Sequence, residues 1–167
     1  LAMVGSTVFH YTSKLKREVR SHLETAVDSR ANHLESYFEN LISYASSLSN
    51  IINITSNTDS FNTSQLLLEN ITKSHEDILY INIYDRSGNR VLTSLVEKHG
   101  ILQTNSDQLT KTTETFISEI HFQTHHDKEI PTFDIIMPIK NDSNTIEGYL
   151  QMEISAYKMY EILNDYV

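Results

Sequence analysis

From Ser6 to Ser60 the chain contains neither proline nor glycine, so nothing along that stretch stops an α-helix once it has started. The apolar positions within it run Leu15, Val19, Leu23, Ala26/Val27, Leu34, Tyr37/Phe38, Leu41, Ala45, Leu48 and Ile52. Steps of three and four residues fit a 3.6-residue period. The spacing predicts one helix that starts near Thr12 or Ser13, either of which can cap it, and ends around Asn50 to Asn53. Such a helix reaches on the order of 55 Å, more than a small domain needs. A helix that overhangs its own domain either pairs with another helix or leads to a membrane.

The remaining composition narrows the partner. At 167 residues the chain is sized for one ordinary domain. Its formal charge of −9, with 13 scattered basic residues, argues against a nucleic-acid partner, whose phosphates are read by clustered Lys and Arg. There is no cysteine, hence no thiol nucleophile, zinc-thiolate site or disulfide. No stretch has the roughly 18–20 apolar residues that span a bilayer. The opening Leu1 to Phe9 is apolar but short; it is either vector-derived or the outer end of a membrane helix.

Beyond the long helix the pattern changes. Asn53 to Ser64 is polar and reads as a loop. A short helix follows, with Leu66, Leu67, Leu68 and Ile71 on its apolar side, stopping near His75 to Asp77. Ile78 to Tyr84 is β-branched and aromatic, Asp85 to Asn89 is a turn, and Arg90 to Leu95 is a second strand, which together make a hairpin. Glu97 to Asp107 is a connector and Gln108 to Thr115 a short helix. Phe116 to Phe122 is a third strand, His125 to Glu129 a turn, and Thr132 to Ile139 a fourth strand. After a turn at Asn141 to Asn144, Ile146 to Ile154 is the fifth. Ser155 caps a closing helix, Ala156 to Val167. Five strands joined mostly by hairpins imply an antiparallel sheet covered by helices, an α+β domain.

Three segments carry a resemblance. The first is Ile81 to Val91, a hairpin with Asp85 and Gly88 at its turn. The second is Phe116 to Ile120. The third runs from Ile130-Pro131 through Pro138-Ile139 to Glu147-Gly148 and Ser155. In this order, behind a long leading helix, they resemble the PAS-like sensor domains of membrane histidine kinases and chemoreceptors, the Cache or PhoQ-DcuS-CitA domains. The resemblance implies a signalling and dimerisation helix over 1–52 and one five-stranded sensor module over 53–167, with a C-terminal helix from 156. It implies an extracytoplasmic input domain, periplasmic or extracellular, of a membrane-tethered receptor, the sensor histidine kinase first and the methyl-accepting chemoreceptor as alternative. It also implies a homodimer through the first helix, a small-molecule ligand of open class, and no enzymatic activity in the domain itself. The chain ending inside a helix fits the input half of something larger. A degenerate module that binds nothing and only sets dimer geometry is the rival.

In that family the ligand lies against the concave face of the sheet. Polar and aromatic residues that alternate with aliphatic ones are then the candidates: Tyr80, Asn82, Tyr84, Ser94, His121, Asp134, Tyr149 and Gln151. A one-residue shift in register exchanges one face for the other. Each has a plainer reading: His121 and Asp134 as solvent-facing strand residues, the tyrosines as core. Asp134 suits an amine or a divalent cation. No Arg falls within the third to fifth strands, so dicarboxylate binding is not supported.

His121, His125, His126 and Asp127 are the densest potential metal group, but adjacent histidines point apart, and a polar hairpin tip is expected instead. No cofactor motif is present: no phosphate-cradling glycine loop, no Gly-x-Ser-x-Gly, no His-Glu-x-x-His. Four Asn-x-Ser/Thr triplets, beginning at Asn53, Asn62, Asn70 and Asn141, are compatible with an exposed exterior domain.

Overall fold

The computed structural model describes residues 2–52, 58–94, 109–125 and 127–164. The breaker-free segment forms one helix, α1, over Ala2–Ile51, of 50 residues, about 75 Å long. It starts ten residues before the expected caps. The second helix, α2 (Thr58–Ser74), also begins earlier than expected, taking up part of the polar stretch assigned to a loop. Then come β1 (Ile78–Asp85) and β2 (Arg90–Thr93), followed by two short strands, β3 (Phe116–Ile117) and β4 (His121–His125). Two long strands follow, β5 (Lys128–Lys140) and β6 (Ile146–Ser155), and then α3 (Tyr157–Asn164). The Glu97 to Asp107 connector and His126 lie outside the described residues, as do Leu95, Gln108 and 165–167. Within Leu109 to Thr115 the chain makes a turn, with the Thr112 N–H donating to the Leu109 carbonyl at 3.0 Å.

The sheet is antiparallel, ordered β2-β1-β6-β5, with β3 and β4 sharing the outer edge of β5. The single third strand expected over Phe116 to Phe122 is therefore two. Phe116 pairs with Ile136, whereas His121 pairs with Thr132, so one extra residue enters between them. Ser118 makes the break: its hydroxyl accepts the Asp134 N–H at 2.8 Å, a role the backbone fills elsewhere in the ladder.

Side chains at the turns fix the hairpins. Asp85 accepts the Ser87 and Asn89 N–H groups on Oδ1 and the Asn89 amide on Oδ2. These bonds, the Asn89 side chain first, hold the Asp85 carboxyl below its usual range. Gly88 sits at φ 82°, where a Cβ would clash. At the β5–β6 turn the Asn141 side chain accepts from Ser143 and Thr145, and Asn144 takes φ 60°.

One face of the sheet is the core. Ile81 and Ile83 of β1, Phe133, Ile135, Met137 and Ile139 of β5, and Leu150, Met152 and Ile154 of β6 meet Leu41, Ala45 and Leu48 of α1 and Leu68 and Ile71 of α2. Phe38 packs on Phe133 at 5.4 Å between ring centres. The Tyr37 hydroxyl donates to Asp77 Oδ2 at 2.9 Å, and burial together with that carboxylate holds the phenol above its usual range. The Asp77 carbonyl in turn accepts the Ser155 N–H, so α1, the turn before β1 and the start of α3 meet at one point. Ser155 also caps α3, its hydroxyl accepting the Tyr157 N–H.

Of the α1 side chains described, from Lys16 onward, those packed against the core begin at Tyr37. Val19, Leu23 and Val27 are 50%, 62% and 62% exposed. Among the described residues no helix is long and apolar enough to cross a membrane. Phe133→Ala is expected to cost about 3–5 kcal/mol in denaturant unfolding. Leu23→Ala, measured in dilute solution, is expected to stay within about 0.5 kcal/mol. Equal costs would mean that the first half of α1 is packed within the domain.

Candidate functional site

The other face of the sheet is built differently. β1 sends Tyr80, Asn82 and Tyr84 to it, and β6 sends Tyr149, Gln151 and Glu153, paired as Tyr80 with Glu153, Asn82 with Gln151 and Tyr84 with Tyr149. β5 adds Thr132, Asp134 and Ile136, opposite Ser155, Glu153 and Gln151. His121 of β4 lies opposite Thr132. Cross-strand partners share a face, so six of the eight sequence candidates from β1, β5 and β6, together with His121, stand on one surface.

Ser94 does not join them. It lies beside Ile81, whose side chain points to the helices, and its hydroxyl accepts the Ile81 N–H at 2.8 Å while its own N–H donates to the Ile81 carbonyl. The β2 register therefore turns Ser94 towards the core and spends its hydroxyl on the backbone.

The surface carries a buried polar network. The Tyr84 hydroxyl donates to Gln151 Oε1 at 2.6 Å, and Asn82 Nδ2 donates to the same oxygen at 3.3 Å. Gln151 Nε2 donates to Asp134 Oδ1 at 2.9 Å. Asn82, Tyr84 and Gln151 are all buried, and a network of this kind holds its members in one geometry. Tyr149 donates to the Thr110 carbonyl at 3.3 Å and joins Tyr84, Leu109 and Ile136 in a small apolar patch. That tyrosine therefore serves as cover as well as wall.

Two carboxyl groups face each other across β5 and β6. Asp134 is mostly buried, with His121 Nε2 at 3.7 Å from Oδ2. Glu153 is fully buried, with His125 Nε2 at 3.6 Å from Oε1. Burial pushes the Asp134 carboxyl up to about 6; the Gln151 bond and His121 pull it down, and Glu153 pushes it further up. Burial and the Glu153 carboxylate also hold the Tyr80 phenol above its usual range. Glu153 is absent from the sequence candidates, and His125 stands among them only in the potential metal group. Carrying the β6 alternation two residues past Gln151 reaches Glu153, but a carboxyl near a strand end reads as solvated.

Of the His121, His125, His126 and Asp127 group, His126 lies outside the described residues; among the described residues no three His, Asp or Glu side chains are placed to hold an ion. A separate open concavity of about 360 Å³ lies between α1 and the outer part of β5, lined by residues including Ser46, Asn50, Thr113 and Lys140. Its lining holds no buried polar atom left without a partner, so the polar sheet face is the better candidate.

No protein-family model matches the sequence, and no curated protein is significantly similar to it. Solved structures share its fold. The ligand-binding domain of the Pseudomonas aeruginosa amino-acid chemoreceptor PctB, in complex with L-Gln, aligns with a TM-score of 0.67 at 14% identity, over 87% of this chain and 59% of that one. The ligand-binding domain of the chemoreceptor PctC from the same organism, in complex with GABA, gives 0.62 at 11% identity, over 86% and 63%. That of the Campylobacter jejuni chemoreceptor Tlp3, in complex with 4-methylisoleucine, gives 0.60 at 15% identity, over 82% and 58%. The chain thus shares the α+β fold of these ligand-binding domains and spans about 60% of the solved chains.

The Asp134 carboxyl sets a pH dependence. Folded, it keeps its proton to about 6; unfolded, it releases it near 3.8. The folded chain therefore binds more protons across that window, and this contribution to stability, complete below it, is lost as pH rises through it. Asp134→Asn is expected to flatten that part of the Tm-against-pH curve and to raise stability at neutral pH by about 1–3 kcal/mol. An unchanged curve would show that the carboxyl is solvated.

Proposed function

We propose that this chain is the extracytoplasmic input domain of a membrane-tethered receptor, of the histidine-kinase or chemoreceptor kind, that binds a small molecule on the polar face of its sheet. One observation carries the reading: a buried, hydrogen-bonded polar surface stands opposite the helix-packed core of a fold shared with ligand-binding sensor domains. A sheet covered on both sides only for stability would bury aliphatic residues there. The domain itself does no chemistry in this reading; it binds and moves.

The movement runs through the framing helices. Residues 1–52 act as the signalling and dimerisation helix and 53–167 as a single sensor module. Tyr37 of α1 bonds to Asp77 and feels the charge of Glu161 on α3. The start of α3 follows directly from Ser155, two residues beyond Glu153 on β6. A ligand that draws β6 and β5 together shifts α3 against α1, provided it binds one arrangement better than the other. The exposed Val19, Leu23 and Val27, spaced at i, i+4 and i+8, form one stripe of α1 that supports pairing with a second copy.

The chain has no native cysteine, so paired labels are unambiguous. With Ser36→Cys and Asn164→Cys, both exposed positions, spin-label distances between α1 and α3 are expected to shift on adding any compound that stabilises the chain in a screen of amino acids, amines and carboxylates. A screen without a hit, or a hit that leaves the distances unchanged, contradicts the sensor reading. Self-association is expected to be weak in sedimentation equilibrium and weaker still for Leu23→Glu. A strictly monomeric native chain at millimolar concentration contradicts the paired helix.

A further inference from the structure

We propose that the sheet face seats a primary ammonium group between the carboxyls of Asp134 and Glu153. This rests on the sensor reading above and names the ligand chemistry of that site. The first observation is Glu153 itself. It is fully buried, and among the described residues neither of its oxygens has a partner at full hydrogen-bond geometry. Leaving such a group without full hydrogen bonds is costly, and a ligand that donates to it removes that cost.

The neighbouring donors are committed elsewhere. Gln151 Nε2 goes to Asp134, the Asn82 amide goes to Tyr84 and Gln151, and the Tyr84 hydroxyl goes to Gln151. His125 Nε2 stands 3.6 Å from Glu153 Oε1, outside hydrogen-bond reach. Tyr80, opposite Glu153 in the ladder, interacts with that carboxyl both through its charge and through a weak phenol–carboxyl hydrogen bond that helps hold the phenol above its usual range, but the contact falls short of full bonding geometry.

Among the described residues, the buried atoms left unsatisfied on this face are all acceptors. Asn82 Oδ1 joins the two Glu153 oxygens as a buried atom without a partner. The Asp134 Oδ2 atom has only His121 near it, at 3.7 Å. Among the described residues the ion-pair partners of both carboxyls are histidines, never Lys or Arg. A ligand that complements this surface brings donors and positive charge. A primary ammonium offers three donors and no acceptor. Asp134 and Glu153 are direct cross-strand partners, with Cβ atoms about 4.5–5.5 Å apart, so one such group reaches both. The same residues do not make a three-ligand metal site among the described residues, which favours an organic cation over a metal ion. The proximity of Glu153, which helps push the Asp134 carboxyl up, agrees with a seat whose two acidic groups are relieved together by one cation.

The test is a thermal-shift series on the full chain with putrescine, L-Gln and GABA as ammonium carriers, and sodium succinate, zinc chloride and calcium chloride as counter-probes. A primary amine at 100-fold excess over its Kd is expected to raise Tm by about 5–10 °C. Putrescine against L-Gln and GABA separates a carboxylate-free amine from an amino acid. In Glu153→Gln the amine shift is expected to vanish while the Tm of the free chain stays the same or rises, because a buried unpaired carboxyl has been removed. Asp134→Asn is expected to weaken the shift as well, which guards against misfolding of one variant. An amine shift that survives in Glu153→Gln overturns the proposal, as does a free-chain Tm that falls sharply in that variant with no amine shift in the native chain. Stabilisation by succinate or the metal salts without any amine effect also overturns it but leaves the sensor reading standing. The failure of that reading is seen separately, in unchanged α1–α3 distances.

Discussion

The pairing of β6 with β5 and β1 is the constraint on which the rest depends. β6 is buried on both sides, with Tyr149 to Ser155 all buried. Its alternation divides the molecule in two: Leu150, Met152 and Ile154 go to the helices, and Tyr149, Gln151 and Glu153 go to the opposite surface. A one-residue slip would put Gln151 and Glu153 among Leu41, Ala45 and Phe133 and turn the aliphatic row onto the polar face. The apolar side therefore fixes the register that assembles the polar side. Stability and site are two faces of the same strand.

That division explains why a polar group can remain unsatisfied in a folded chain. The aliphatic face and the α1 and α2 packing supply the cohesion, so the second face is free to hold an arrangement that is poor for stability. Tyr84, Asn82, Gln151 and Asp134 form a continuous chain of hydrogen bonds. Glu153 lies opposite Asp134 in the ladder, its oxygens without a partner at full hydrogen-bond geometry among the described residues. Stability given up at one position, while the surrounding network is satisfied, is the pattern expected of a binding site rather than of a core.

Much of this was legible in the residues. The 3.6-residue period of α1 and the breaker-free run behind it needed no tertiary information, and the Asp85–Asn89 and Asn141–Asn144 turns declared themselves through side chains that bond to their own backbone. The α+β class followed. The start of α1 was less legible, since the absence of a breaker does not say where a helix begins. The split between β3 and β4 depends on the Ser118 hydroxyl standing in for a backbone group, which no hydropathy pattern records. Ser94 alternates as the other candidates do, but β2 is short and its register, set by β1, turns it to the core. Glu153 was missed because its burial comes from its neighbours, Tyr80 on one side and Asp134 on the other, and not from its own residue type.

The central claim is that the polar face of the sheet is where a small molecule is held and that α3 responds to it. Amide NMR of the chain titrated with a stabilising compound tests this directly. The account predicts shift changes concentrated at Tyr80, Asn82, Asp134, Gln151 and Glu153, with a second group along Tyr157 to Asn164. Changes confined to Ser46, Asn50, Thr113 and Lys140, or to the exposed half of α1, would contradict it.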